Sequence, residues 1–249
     1  MNDRLCLEVA GVGKRYGGLE ALAGITLNVR EGVRQVILGP NGAGKTTLFK
    51  ILSGEIAPTS GTVAFRGSDI THAPPYRRAA LGIARTFQVT TLFPRLTALQ
   101  NVILAVQGIR RTKYTAWRVV ETMGPLLAEA RHVLEQVGLT GREAMRVASL
   151  AYGEQRQLEI GLALASRPSL LLLDEPTAGL ARAEVARIVA LLQTLPREIT
   201  VLFIEHDMDV AFALAETVTV LSQGQKIAEG PLEEIRANKL VQEIYLGEI

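Results

Sequence analysis

A chain of 249 residues, 48% of them apolar, can bury a full core and build one large α/β domain or two small ones. Its 27 basic and 25 acidic residues leave a net charge of +2, too balanced for nucleic-acid binding by bulk charge. The longest apolar runs, such as Leu170–Leu173 and Val201–Ile204, fall far short of the roughly 18 residues that mark a spanning helix. No signal-peptide pattern precedes the first strand-like run, Leu5–Val9. A lone cysteine, Cys6, excludes an internal disulfide and fits a reducing cytosol, where it reads as a small buried hydrophobe. The mean hydropathy of +0.21 hints at a surface that docks on something.

Three β-rich segments come first: Leu5–Ala10, Ala21–Val29 and Val33–Leu38. Gly11/Gly13, Gly17-Gly18 and Glu31-Gly32 punctuate them as turns. The third ends in Val36-Ile37-Leu38 and runs into Gly39-Pro40-Asn41-Gly42-Ala43-Gly44-Lys45-Thr46-Thr47, after which Leu48–Leu52 has helical spacing. Strand, glycine loop and helix are the context in which G-x-x-x-x-G-K-[ST] is a phosphate-binding P-loop. The glycines let successive N–H groups curl around an anion, and the helix opening near Lys45 aims its positive end at the same charge. Lys45 is expected to reach the β- and γ-phosphates and Thr46 to place its hydroxyl on Mg²⁺, with Gly39, Asn41, Gly42, Ala43, Gly44 and Thr47 completing the cradle. These residues specify a nucleoside triphosphate ligand.

After a turn at Ala57–Gly61 come alternating Thr62–Phe65, a polar connection at Ile70–Pro75, a short basic helix at Tyr76–Leu81 and a strand at Ile83–Phe87. From Leu96 to Leu164 strand signals nearly vanish. Thr97–Val106, Trp117–Met123, Leu126–Val137 and Glu154–Leu164 carry helical periodicity. Alternation then returns, with strands at Leu170–Leu173 and Ile199–Ile204 around a helix at Arg182–Leu195. A helix at Met208–Ala215, strands at Val218–Leu221 and Lys226–Ala228, and a closing helix from about Leu232 finish the chain.

The all-apolar run Leu170–Leu173 reads as a central parallel strand, and it ends in Asp174 and Glu175 at the crevice edge of such a sheet. With a P-loop upstream, Asp174 is expected to hold Mg²⁺ through water and Glu175 to polarise the attacking water. A second apolar strand, Thr200–Ile204, ends in Glu205-His206-Asp207. There His206 could contact the γ-phosphate and help place the water, whereas His72 and His132 read as surface or satisfied core residues.

Together these residues resemble the nucleotide-binding subunit of ABC transporters over essentially the whole chain. The resemblance implies ATP and Mg²⁺ as ligands. The fold it implies is a P-loop α/β domain with a mainly parallel core sheet, an N-terminal antiparallel β subdomain and an inserted α-helical subdomain. Residues 1–88 and 167–249 would form the core and residues 89–166 the helical insertion. On this likeness Tyr16 stacks on adenine, and Gln88 is the Q-loop glutamine linking Mg²⁺ and water to a transmembrane subunit. Leu150-Ala151-Tyr152-Gly153-Glu154 stands at the signature position and Ala178-Gly179-Leu180-Ala181 at the D-loop. The signature is itself a helix N-terminus whose N–H groups face the γ-phosphate held by the opposite subunit. Two departures matter. Ala151 and Tyr152 replace the usual serine and first glycine, and Ala181 replaces the usual aspartate. An asymmetric pairing with a different cassette follows as the expectation, with a homodimer left open.

Arg85-Thr86-Phe87-Gln88, the Ala-Tyr-Gly-Glu-Gln run, Glu205-His206-Asp207-Met208, the long insertion at Val106–Leu126 and the ending Tyr245-Leu246-Gly247-Glu248 look most like the branched-chain amino-acid importers. That resemblance implies two permease subunits, a second cassette, an extracytoplasmic solute-binding protein, and a place on the cytoplasmic face of the membrane. Cassettes for urea, amides or aromatic acids are very similar. An export-type cassette, a non-transport ABC ATPase acting on ribosomes or DNA, and a non-catalytic subunit are the remaining alternatives. Arg110, Arg111, Lys113 and Arg118 with Tyr114 and Trp117 form either a solvated helix face, the favoured reading, or a contact for anionic headgroups or a membrane-subunit loop.

Overall fold

The computed structural model describes residues 4–86, 92–109 and 119–246. The chain divides into two compact units. One holds Met1–Arg85, Ser169–Pro176 and Leu195–Ile249, and the other Thr86–Pro168 and Thr177–Thr194. Residues 177–194, read from the sequence with the α/β core, are thus compact with the helical segment.

The first unit carries two sheets. The four-stranded sheet is antiparallel, in the order β2 (Leu19–Arg30), β1 (Leu5–Tyr16), β4 (Ser60–Phe65), β5 (Ser68–Asp69). β1 runs on past Ala10, where the sequence reading ended it at glycines. Gly11, with φ of 60°, lets the strand bulge instead of turning, and the pairing register with β2 slips between Val9 and Val12. The two-residue β5 had no sequence signal.

The six-stranded sheet has the order β10 (Gln225–Pro231), β9 (Thr217–Ser222), β3 (Arg34–Leu38), β8 (Thr200–Ile204), β7 (Leu170–Asp174), β6 (Ile83–Arg85). All its pairs are parallel except the β9–β10 hairpin. β7 and β8 are buried at every position, the pattern of strands covered on both faces. The P-loop helix α1 (Lys45–Ser53) buries Leu48, Phe49, Ile51 and Leu52 completely, and one apolar cluster joins them to residues of both sheets. At about 25 cal/mol per Å² of apolar surface, four such side chains each contribute roughly 1.5–3 kcal/mol, which seats the helix under the loop it follows. Cys6 lies in this cluster, and burial pushes its thiol above the ordinary cysteine range.

α1 ends in a left-handed Gly54, and the basic helix α2 (Pro75–Leu81) supplies a second cap from outside. Arg78 of α2, 1% exposed, donates from Nη1 to the carbonyls of Ile51 (2.7 Å) and Leu52 (2.8 Å) in the last turn of α1. A helix signal alone would not have told that this arginine points inward.

The second unit contains α3 (Ala98–Ile109), α4 (Val119–Gln136), α5 (Tyr152–Leu164) and α6 (Arg182–Thr194). α4 is one helix where the sequence suggested two, because Pro125 removes a single internal hydrogen bond without ending it. α5 opens at Tyr152 rather than Glu154, since Ala151 already has the extended backbone of an N-cap. In the first unit, α7 (Met208–Leu214) is capped by the Asp207 carboxylate, which accepts from Asp209 N–H at 2.9 Å and Val210 N–H at 3.2 Å. The closing helix is two, α8 (Leu232–Ala237) and α9 (Lys239–Leu246), broken at Asn238.

Candidate nucleotide site

Parallel strands bring their carboxyl ends to one edge, and here the candidate residues gather along it. The register sets Ile37 of β3 beside Ile204 of β8, and Ile204 beside Asp174 of β7. The P-loop after β3, Glu205-His206 after β8 and Asp174-Glu175 after β7 therefore emerge in order along the same edge. Arg85 closes the row at the end of β6.

The loop needs its glycines for space as well as conformation. Gly39 has φ of 150°, and a Cβ there would come within 2.1 Å of the Leu221 carbonyl oxygen. Gly44, the N-cap of α1 with φ of 99°, would collide with Leu22 and with the Ala21 carbonyl of β2. Lys45 is 7% exposed, its ammonium folded onto the carbonyls of Gly39 and Pro40, the latter at 3.0 Å. The positive charge is thus held at the mouth of the loop, beside the first turn of α1 and its outward-facing N–H groups.

Asp174 is 1% exposed and bonded to Arg85 at 3.0 Å. The next residue, Glu175, has φ of 46°, a left-handed conformation that costs a non-glycine residue about 1 kcal/mol or more. Its own N–H is tied to the Ile204 carbonyl at 3.1 Å, so the twist is fixed by the neighbouring strand. The backbone turns there instead of continuing as a strand, so Asp174 and Glu175 do not follow a strand's alternation. Just after β8, Glu205 is fully buried while the His206 side chain is 60% exposed. The Glu205 carboxylate accepts from His206 N–H at 3.2 Å and lies 4.0 Å from Nδ1, so it orients the loop that presents the imidazole.

Tyr16 ends β1 half-exposed, with the Lys14 ammonium 5.2 Å from its ring centre. That ring already accepts a cation on its π face, the kind of surface a flat base also covers. Gln88 lies outside the described residues, as does the basic-aromatic stretch from Arg110 to Arg118.

In the second unit, Ala151 caps α5 without a side-chain oxygen, and Glu154 supplies the other half of a capping box by accepting from Ala151 N–H at 2.9 Å. Arg142 donates to the opposite oxygen of Glu154 at 2.8 Å. Burial raises this carboxyl's pKa, but the Ala151 N–H and Arg142 outweigh it and hold the pKa below the usual glutamate range. Tyr152, half-exposed, packs beside Gly179. Gly153 donates to Glu184 Oε1 at 3.1 Å, and Glu184 Oε2 accepts from Ala181 N–H at 3.0 Å. One carboxylate of α6 thereby joins the signature residues to the end of the Ala178–Ala181 loop, a link the sequence reading missed. Its only signal was a glutamate three residues after Ala181, the spacing of a capping box. Ala151→Ser is expected to complete the α5 box and stabilise the protein by about 0.5–1 kcal/mol, seen as a higher urea midpoint.

A P-loop, a buried aspartate and a turned-out glutamate on one edge of this sheet, with a separate helical unit, define an ATPase of the ATP-binding-cassette class. The chain belongs to the ABC transporter family, whose model matches residues 22–178, and a model described as a branched-chain amino acid ATP-binding cassette transporter matches residues 225–248. It is 40% identical to the high-affinity branched-chain amino acid transport ATP-binding protein BraF of Pseudomonas aeruginosa, covering 99% of each chain. Its identity to LivG of Escherichia coli K12, of the same description, is 36%, over 97% of this chain and 98% of that one. Among solved structures, an ABC-transporter cassette in its ADP conformation superposes with a TM-score of 0.85 at 30% identity, covering 98% and 99% of the two chains. A dimeric bacterial ABC transporter cassette superposes with a TM-score of 0.78 at 28% identity, over 91% of this chain and 98% of the other.

Proposed function

We propose that this chain is the ATP-binding and ATP-hydrolysing subunit of an importer for branched-chain or other hydrophobic amino acids, peripheral on the cytoplasmic face of the cell membrane. The observation that carries the reading is the common edge on which β3, β8 and β7 release the P-loop, His206 and the Asp174-Glu175 pair. The near-full-length likeness to BraF and LivG supports the substrate class. Among the described residues no helix is long and apolar enough to cross a membrane.

Gly39, Asn41, Gly42, Ala43, Gly44, Thr46 and Thr47 cradle the phosphates, Lys45 neutralises the β/γ charge, and Tyr16 covers the adenine. Glu175 takes the proton of the attacking water and His206 contacts the γ-phosphate. The donor set fits magnesium. Thr46 and Asp174 are hard oxygen donors and too few to cage an ion, as suits a metal that keeps waters and takes the rest of its shell from phosphates. Thr46 and Asp174, with Gln88, would hold it, and when bound it supplies charge neutralisation on the phosphates. Ala151, Tyr152, Gly153 and Glu154 face the nucleotide of a second cassette, a different chain in the favoured reading. Two permeases and a solute-binding protein complete the importer, and Gln88 carries movement to the permeases.

A strain lacking this chain should lose uptake of labelled leucine, isoleucine and valine. The parent gene should restore it and Lys45→Ala should not, having lost at least about tenfold in ATP affinity with its phosphate-binding charge. Undiminished uptake in the deletion strain would overturn the substrate class. Full rescue by Lys45→Ala would overturn the site.

A further inference from the structure

Arg85 belongs to none of the roles assigned above, yet its side chain is tied to residues of both β7 and the P-loop helix. It ends β6 with its side chain 6% exposed. Nη2 donates to Asp174 Oδ2 at 3.0 Å, and Nη1 donates to Ser53 Oγ at 3.0 Å and to Glu55 Oε1. The guanidinium lies 5.9 Å from the centre of the Phe49 ring of α1. Ser53 in turn donates to Glu55 at 2.7 Å, so the far end of the P-loop helix is part of the same cluster.

From these contacts, and resting on the reading of Asp174 as the acid that holds magnesium, we infer that Arg85 is the positioning residue of the metal site. It fixes the Asp174 carboxylate against the P-loop helix in the orientation that receives Mg²⁺ with the nucleotide. Three features of the geometry support this. An anionic carboxylate 1% exposed is costly without an opposite charge nearby, and Arg85 supplies one. The bond from Nη2 to Asp174 Oδ2 takes one of the about four acceptor sites of a carboxylate, so that bond by itself does not exhaust it. Arg85 binds two carboxylates, Asp174 and Glu55, so its one positive charge does not offset both. A planar fork that reaches both acids at once is a property of arginine and not of lysine.

The test compares binding of a non-hydrolysable ATP analogue by calorimetry, in EDTA and across a Mg²⁺ titration, for the parent, Arg85→Met and Arg85→Lys. In EDTA all three should agree within about twofold. The gain in affinity that Mg²⁺ gives the parent should shrink about tenfold in Arg85→Met and by a smaller factor in Arg85→Lys, which keeps the charge but cannot span both carboxylates. Should Arg85→Met fail to fold, Arg85→Lys carries the same comparison. An equal loss with and without Mg²⁺ would show a merely structural role for α1 and overturn the inference. So would a full or enhanced Mg²⁺ gain in Arg85→Met, the latter meaning that the arginine competes with the metal. A parent that binds the analogue with no Mg²⁺ dependence would instead remove the assignment of Asp174 on which the inference stands.

Discussion

Glu175→Gln should cut ATP turnover by about 10²–10⁴-fold, the range for loss of a positioned general base, while ATP binding survives. The substitution keeps the side chain's size and leaves the backbone bond from residue 175 to the Ile204 carbonyl untouched. Glutamine also tolerates the left-handed φ of 46° no worse than glutamate does. What disappears is the ability to accept a proton from water. Single-turnover hydrolysis and direct nucleotide binding check the two halves of the prediction. Turnover within tenfold of the parent would remove Glu175 as the base. The same variant supplies a second readout: its solution mass with and without Mg-ATP. A nucleotide-dependent doubling would mean that Ala151-Tyr152-Gly153 suffices for a self-clamp, and a monomer that holds ATP would require the second cassette to be a different chain.

Arg78→Met should destabilise the fold by about 4 kcal/mol, a large share of the roughly 5–15 kcal/mol that keeps a domain folded. Beyond its two bonds to α1, Arg78 donates to the carbonyls of Ile70 (2.6 Å), Thr71 (3.1 Å) and Ala73 (2.9 Å). Methionine fills much of the same space but offers these five buried acceptors nothing. Each carbonyl stripped of a charged donor forfeits of the order of 1–3 kcal/mol, with some recovered by water. Burial lowers the Arg78 pKa to about 10, so the guanidinium stays protonated at neutral pH and the bonds are charge-assisted. Urea unfolding at pH 7 measures the effect. A loss under about 1 kcal/mol would mean that the carbonyls find other donors and that Arg78 is not the outer cap of the P-loop helix.

The site was far more legible than the contacts that support it. Strand, glycine loop and helix around Lys45 depend on residues adjacent in the chain, so spacing alone conveys them. The all-apolar runs of β7 and β8 likewise announce strands covered on both faces, each ending in polar residues. The direction of Arg78 and Arg85 could not be read this way. Their partners are 5 to 27 residues away for Arg78 and 30 to 89 for Arg85, and a lone arginine in a short helix or strand looks like a surface charge. Glu184 was hidden for the same reason, 31 residues from Gly153. Glycines misled at β1, where Gly11 makes a bulge rather than a turn, and Pro125 misled in α4, where the helix absorbs it.

Local chemistry, then, was enough for the ligand class, because a phosphate loop, its lysine and a strand-terminal acid pair are short-range patterns with few other uses. Strand order was beyond it. Only the folded sheet puts β8 between β3 and β7, and so sets His206 between the P-loop and Asp174-Glu175. The left-handed turn at Glu175 belongs to the tertiary level too, since the hydrogen bond that holds it comes from Ile204, 29 residues along the chain, and no property of glutamate itself favours that conformation.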